Sequence, residues 1–285
     1  MRAVEAARRT GQASMEQACQ RFGLHRDAYY KLKRRMGRQE EVAAAVVELV
    51  RKERMEQPRL GTRKLYRTLH ASFEAAGLKV GRDKLFAILR EHTLLVARKR
   101  ASCRTTNSYH HFHRYRNLVK GRPVTAPNQV WVSDITYLRT VNGFCYLALV
   151  TDMFSRKIVG FDISESLELA GCLRALKLAL RTARPAAGLV HHSDRGVQYC
   201  SNQYVEALRE RGILISMTEE SHCYENAIAE RVNGILKDEF YLDQCFFSTR
   251  LAAIAAKNAI EVYNNKRLHL SLGYKTPSMV FKNAA

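Results

Sequence analysis

The sequence predicts an α/β domain with a mixed sheet, preceded by an all-helical basic region. Three observations lead there. Apolar residues recur at helical spacing up to about residue 97 and fall into short β-rich runs from residue 126 onward. The later runs follow the order β-β-β-α-β-α-β-α. The charge divides at the same place. Residues 1–125 hold 29 Lys and Arg against 11 Asp and Glu, net +18, whereas residues 126–285 hold 18 against 16, net +2. Such a one-sided excess points to a polyanionic partner, because each neutralised phosphate releases condensed counterions.

Residues 1–38 read as a helix-turn-helix unit: a helix from Met15 to Arg21, a turn at Phe22, Gly23 and Leu24, and a second helix rich in Tyr, Lys and Arg. Arg26, Tyr29, Tyr30, Lys31 and Lys33 of that second helix would face DNA. Residues 39–97 read as a second helical DNA-binding domain, again helix-turn-helix. An amphipathic helix spans 40–58, striped by Val42, Val46, Leu49 and Val50, and stops before Pro58. Thr62 caps the next helix, which carries Leu65 and Leu69; a turn at Gly81 opens another with Leu85, Ile88 and Leu89. Arg63, Lys64, Arg82 and Lys84 stand at helix starts, where side chains can meet phosphate.

Residues 98–125 contain no acid and alternate cations with Tyr, Phe and His. They read as a basic linker that tracks a DNA backbone, with rings that can stack on bases. His92, His110, His111 and His113 lack a second ligand cluster at zinc spacing and are not taken as a metal site.

The core spans 126–241. Asn142-Gly143 marks a type I′ hairpin turn. A second turn at 152–156 completes a three-stranded meander. A helix with Leu169, Leu173, Leu176 and Leu180 on one face follows, then strand 188–193, helix 201–211, strand 213–217 and helix 223–241. Residues 242–285 add a helix (Thr249 to Tyr263) and a basic irregular tail. This strand order is that of the RNase H-like fold. In it the first and fourth strands are neighbours, so Asp134 in the first, Asp194 ending the fourth and Glu230 on the last helix can converge.

Three convergent carboxylates suit two Mg²⁺ (or Mn²⁺) ions, which take hard oxygen ligands and keep positions open for phosphate and water. Two such ions can activate an attacking oxygen and stabilise a leaving one. Between Asp194 and Glu230 lie 35 residues. Asp152 is the nearest rival, although its place at a turn suits a cap. Glu219, Glu220 and Glu225 lie in or near a loop or helix start, and Asp238 and Glu239 lie two turns past Glu230. On the last helix Ile228, Val232, Ile235 and Leu236 form the apolar stripe; Asn226, Glu230, Asn233 and Lys237 form the polar one. His191, His192, Ser193 and Gln198 surround Asp194. Of these, His192, Ser193 and Gln198 are candidates for orienting its carboxylate.

Seven cysteines without a C-x-x-C pair fit reduced thiols in a cytosolic protein. No apolar run approaches the ~18 residues of a membrane span. The expected location is cytoplasmic, associated with the nucleoid.

The stretches WVSDITYL, HHSDRGVQY, YENAIAERVNGILKDE and YNNKRLHLSLGYKTP resemble DDE transposases of bacterial insertion sequences. The likeness is to the second-reading-frame (OrfB) type, which has a retroviral-integrase-like catalytic core. It covers about 126–280 and extends more weakly to the N-terminal helices. The resemblance implies that Asp134, Asp194 and Glu230 are the metal-binding triad. It implies cleavage at the element's terminal inverted repeats to free 3′ hydroxyls, which then attack target DNA. Asn226 and Lys237 match family positions near the site, and Arg267 and His269 match the tail motif, where DNA contact or a structural role fits. The implied partners are double-stranded DNA, further copies of the chain in a dimer or larger assembly, and an upstream-frame helix-turn-helix protein or fusion. Two alternatives compete: another RNase H-like nuclease such as a junction resolvase, and a non-enzymatic DNA-binding relative.

Overall fold

The structure is a computed structural model that describes residues 2–9, 14–97, 112–219 and 226–283. His110, His111, Cys103, Cys223, Glu220 and Glu225 lie outside the described residues, as does the linker up to residue 111. The chain forms two compact units: Met1–Glu53 with Leu65–Leu95, and Arg54–Lys64 with Val96–Ala285.

The first unit is helical: α1 (Arg2–Arg9), α2 (Met15–Arg21), all but the last residue of α3 (Arg26–Arg54), α4 (Thr62–Ala75) from Leu65 onward, and α5 (Arg82–Glu91). Ser14 starts α2 with a reciprocal capping box to Gln17. The turn into α3 places Gly23 at φ +66°, which a residue without Cβ adopts freely. α3 is one helix of 29 residues, so the boundary expected at 38/39 falls inside it. No proline or cap interrupts Met36 to Glu40, and a lone Gly37 costs only about 1 kcal/mol among good helix formers. Tyr29, expected to face DNA, is instead fully buried with Val4, Ala18 and Cys19, and its hydroxyl donates to Glu5.

The second unit is built on a mixed sheet. Its strands are β1 (Val130–Thr140), β2 (Gly143–Asp152), β3 (Ile158–Ser164), β4 (Val190–Ser193), β5 (Leu214–Met217) and β6 (Cys245–Phe246). The order is β3-β2-β1-β4-β5, with β6 paired to the far end of β1. β1–β2–β3 is the antiparallel meander, and β4 and β5 join in parallel. This is the RNase H-like arrangement. β6, two residues long, leaves no periodic trace in the sequence.

The helices are α6 (Leu169–Ala183), α7 (Val197–Cys200), α8 (Asn202–Arg209), α9 (Ala227–Glu239), α10 (Thr249–Asn265) and α11 (Pro277–Asn283). The expected irregular tail therefore contains α11 and a short 3₁₀ turn at Leu270–Leu272. Side chains alternate along β2. Ala148 and Val150 pack with α6 and α8, whereas Cys145, Leu147 and Leu149 pack with α9 and α10. Gly160 lets β3 approach α6, since a Cβ there would fall 2.2 Å from the Ala175 carbonyl oxygen.

Part of the expected linker belongs to this unit. Phe112 and Tyr115 pack against its core, and the Asn117 and Leu118 amides donate to Glu219 and Ser216. These rings are not free to stack on bases. No helix among the described residues is long and apolar enough to cross a membrane. Cys19, Cys145, Cys172, Cys200 and Cys245 are free thiols.

Candidate active site

The parallel pairing of β1 with β4 brings two acids together. Ser133 pairs with Ser193, so Asp134 and Asp194 are the next residues along adjacent strands. β4 ends at Ser193 and Asp194 enters a bend. There its Oδ1 accepts from the Gly196 amide at 3.0 Å. A Cβ on Gly196 would stand 3.0 Å from that same oxygen, so glycine leaves the carboxylate its place.

Asp134 lies within the sheet, opposite Leu149 of β2, and is partly buried. Its Oδ2 accepts from Asn233 Nδ2 at 2.8 Å. Its pKa is nevertheless raised to about 7: burial is the largest cause, then the charge of Asp194, with Glu230 contributing last. The three acids therefore share one electrostatic environment. Glu230 sits in the first turn of α9 and is exposed. Lys237, two turns further along α9, also feels Asp134, although burial lowers its own pKa. Two members of the polar stripe of α9, Asn226 and Asn233, bond to β1.

Among the described residues, no three His, Cys, Asp or Glu side chains already stand as a closed metal-ligand cluster. The donors still fit hard divalent cations. They are carboxylate oxygens, and the charge of Asp194 adds to burial in raising the pKa of Asp134.

The neighbours of the acids differ in part from expectation. His192 is buried and its Nδ1 pairs with Ser216 Oγ at 2.8 Å, so it ties β4 to β5. Ser193 is buried, and its carbonyl accepts from the Thr218 amide. Gln198 donates to the Leu167 carbonyl at 2.7 Å and anchors α7. It is His191 that bridges toward β1. Its Nε2 lies 2.8 Å from Ser133 Oγ and 3.0 Å from Tyr204 Oη, and burial lowers its pKa to about 3, so the ring is neutral. Asn226, expected at DNA, is buried and donates to the Ser133 carbonyl at 3.0 Å, which pins the start of α9 to β1. Asn233, placed on the polar stripe but not singled out, makes the direct bond to Asp134. Its signal was its position three residues after Glu230 on the same face. Asp152 is a turn cap, accepting from the Asn128 and Ser155 amides and the Ser155 hydroxyl.

Three of the residues expected at DNA, Lys64, Arg267 and His269, are buried. Lys64 and Arg267 both bind Glu239. Lys64 Nζ lies 3.0 Å from both carboxylate oxygens, and Arg267 donates bidentately at 2.8 and 2.7 Å. All three groups are shielded, and His269 stacks edge-on against buried Tyr263. A phosphate contact from Lys64 or Arg267 would require breaking a buried ion cluster. Arg63, Arg82 and Lys84 are exposed, as phosphate contacts need.

Residues 124–223 match the family described as an integrase core domain, and residues 211–277 match a second family of the same description. Over 267 residues the chain is 38% identical to the uncharacterized 31 kDa protein of insertion element IS600 from Shigella sonnei, covering 91% of this chain and 96% of that one. It is 40% identical over 152 residues to the transposase for insertion sequence element IS629, also from Shigella sonnei, with 53% and 51% covered. It is 36% identical over 160 residues to the transposase InsF for insertion sequence IS3A of Escherichia coli K12, with 56% and 55% covered.

Proposed function

The chain belongs to the transposases of bacterial insertion sequences that carry an integrase core, enzymes of DNA transposition, and from that premise we propose its chemistry. It binds the terminal inverted repeats of its element, cleaves to free 3′ hydroxyls, and joins them to target DNA by transesterification. Asp134, Asp194 and Glu230 hold two Mg²⁺ or Mn²⁺ ions. The observation that supports this reading is the register of β1 and β4, which sets Asp134 beside Asp194, with the charge of Glu230 reaching Asp134 from α9.

When bound, the two cations supply the positive charge that activates the attacking oxygen and stabilises the leaving one. The protein side chains do the rest. Asn233 fixes the rotamer of Asp134, and the Gly196 amide fixes Asp194. Asn226 sets the first turn of α9, and so the height of Glu230. Lys237 offers a cation near Asp134 toward a DNA phosphate. Arg63, Arg82 and Lys84 contact the backbone of the element end, and His192, Ser193 and Gln198 hold the strand and turn that present Asp194. Two ends must be brought together, so the working form is a dimer or larger assembly on DNA in the cytoplasm, at the nucleoid. An upstream helix-turn-helix protein or fusion can add end recognition.

The test is strand joining of an element-end duplex with Mg²⁺. Glu230→Gln removes one ligand charge and keeps the shape. Joining should fall to background while end binding persists, with Glu206→Gln on α8 as an active control. Joining by the Glu230→Gln protein at the wild-type rate would show that the site is assigned wrongly. A wild-type protein that binds ends and never joins them with either cation would favour a non-enzymatic DNA-binding role.

A further inference from the structure

α9 has a second polar feature on the flank turned away from the acids. A cavity of about 670 Å³ opens there, bounded by Arg59 and Gly61, by Val96 and Ala97, by α9, and by the tail segment at 269–271. It lies wholly within the second unit. Ile228, expected in the core stripe, is only partly buried and lines this cavity.

The cavity is rich in cations. Lys64, Arg267, Arg59, Arg156 and Arg231 line it against two carboxylates, Asp238 and Glu239. Glu239 is already shared by Lys64 and Arg267. Its own pKa stays low, because those two cations outweigh the burial that would raise it. Lys64 shows the opposite imbalance, its pKa lowered to about 8 by burial and then by the Arg267 charge. One carboxylate serves two cations, and positive charge is left over. Arg59 is partly engaged, donating to the Ala97 carbonyl. Arg231 is exposed at the rim and has no hydrogen-bond or carboxylate partner among the described residues.

A second observation is independent of charge. His269 is only 7% exposed, it lines the cavity, and its Nε2 has no hydrogen-bond partner among the described residues. Buried polar atoms are nearly always satisfied, so an orphan on a cavity wall marks a place for a ligand atom. The rest of the wall is apolar, with Val96, Val232 and Leu270 prominent. The volume is in the range of small-molecule sites, roughly 300–1,000 Å³, and far exceeds a bare phosphate.

We propose that this cavity binds a nucleotide, with the phosphate at Arg231 and Arg59 and the base against the apolar wall, where its hydrogen-bonding edge meets His269. The nucleotide can come from solution or as an unpaired residue of a DNA strand. The inference does not depend on the catalytic reading of the acids.

The test uses the full chain. Calorimetry measures deoxyadenosine monophosphate, deoxyadenosine and inorganic phosphate; fluorescence measures a duplex with one unpaired 2-aminopurine. The variants are Ala97→Trp, which fills the exposed mouth, and Arg231→Glu, which reverses the rim charge, both checked for the wild-type melting temperature. Support takes one of two forms, and they separate the two sources. The monophosphate binds the wild type, at least about tenfold more tightly than either the nucleoside or phosphate, and weakens by about tenfold in both variants. Alternatively only the unpaired 2-aminopurine responds, and the response is lost in both variants. Silence from both probes, equal binding by the variants, or phosphate binding as tight as the monophosphate would overturn the proposal. Asp134→Asn is included as a control and should retain nucleotide binding, so failure of this site and failure of the strand-joining chemistry are read separately.

Discussion

Asp134 carries the most informative electrostatics of any single residue. Its pKa of about 7 in the folded chain stands above the ordinary aspartate value near 3.9, so between those limits the folded state binds the extra proton. Stability then falls as pH rises from about 4 to about 7, and stays reduced above. Asp134→Asn should lack that slope. Without divalent cation at pH 8 it should be more stable than wild type by on the order of 1–3 kcal/mol, and the gain should vanish below about pH 4. Thermal melts across pH measure this, and parallel curves for the two proteins would refute the raised pKa. Gly196 gives a second residue-scale test. Its φ of −62° accepts any residue, yet a Cβ would crowd Asp194. Gly196→Ala should change stability by less than about 1 kcal/mol while slowing strand joining by tenfold or more. The sequence exposes the three acids because Asp134 interrupts a β-rich run, Asp194 ends one and Glu230 sits on a polar helical face. It hides Lys64, Arg267 and His269, since a basic residue at a helix start looks the same whether solvated or paired, and Glu239 lies 175 residues from Lys64.

At the scale of the element, α9 serves three surroundings at once. Asn233 bonds to Asp134 of β1 and the charges of Glu230 and Lys237 reach that carboxyl, whereas Val232, Ile235 and Leu236 enter the core beside α10. Glu239 closes the ion cluster. Leu236 is fully buried, and Leu236→Ala should cost about 2–5 kcal/mol. Glu239→Gln leaves two buried cations without their carboxylate and should cost about 3–5 kcal/mol. Its folded pKa is depressed, so the pair's contribution is present at neutral pH and is lost as pH falls through that value. Denaturant melts of both variants measure these costs, and a Glu239→Gln protein as stable as wild type at pH 7 would remove the cluster's structural role. The apolar stripe of α9 is legible in its spacing except at Ile228, because periodicity cannot tell a core from a cavity wall. The N-terminal helices are legible as helices, but the join within α3 is not, because a single glycine bends the pattern without breaking the helix.

For the whole molecule, the strand order can be read because each strand is bounded by a turn signal, and the order places the first strand beside the fourth. The basic half can be read as charge, but charge alone does not say which cations are solvated. That distinction yields a test. Replacing exposed Arg63, Arg82 or Lys84 by Ala should reduce the salt slope of DNA binding by about 1 for each side chain that meets a phosphate. Lys64→Ala should leave the slope unchanged and lower the melting temperature. A slope insensitive to all three exposed changes would place DNA elsewhere on the protein.

In the proposed mechanism three acids far apart in the chain act as one metal site. A Mn²⁺ titration followed by electron paramagnetic resonance, with the chain bound to an element-end duplex, tests this most directly. Wild type should take up two ions per chain, and Asp134→Asn, Asp194→Asn and Glu230→Gln should each lose tight binding. Equal uptake by wild type and all three variants would contradict it.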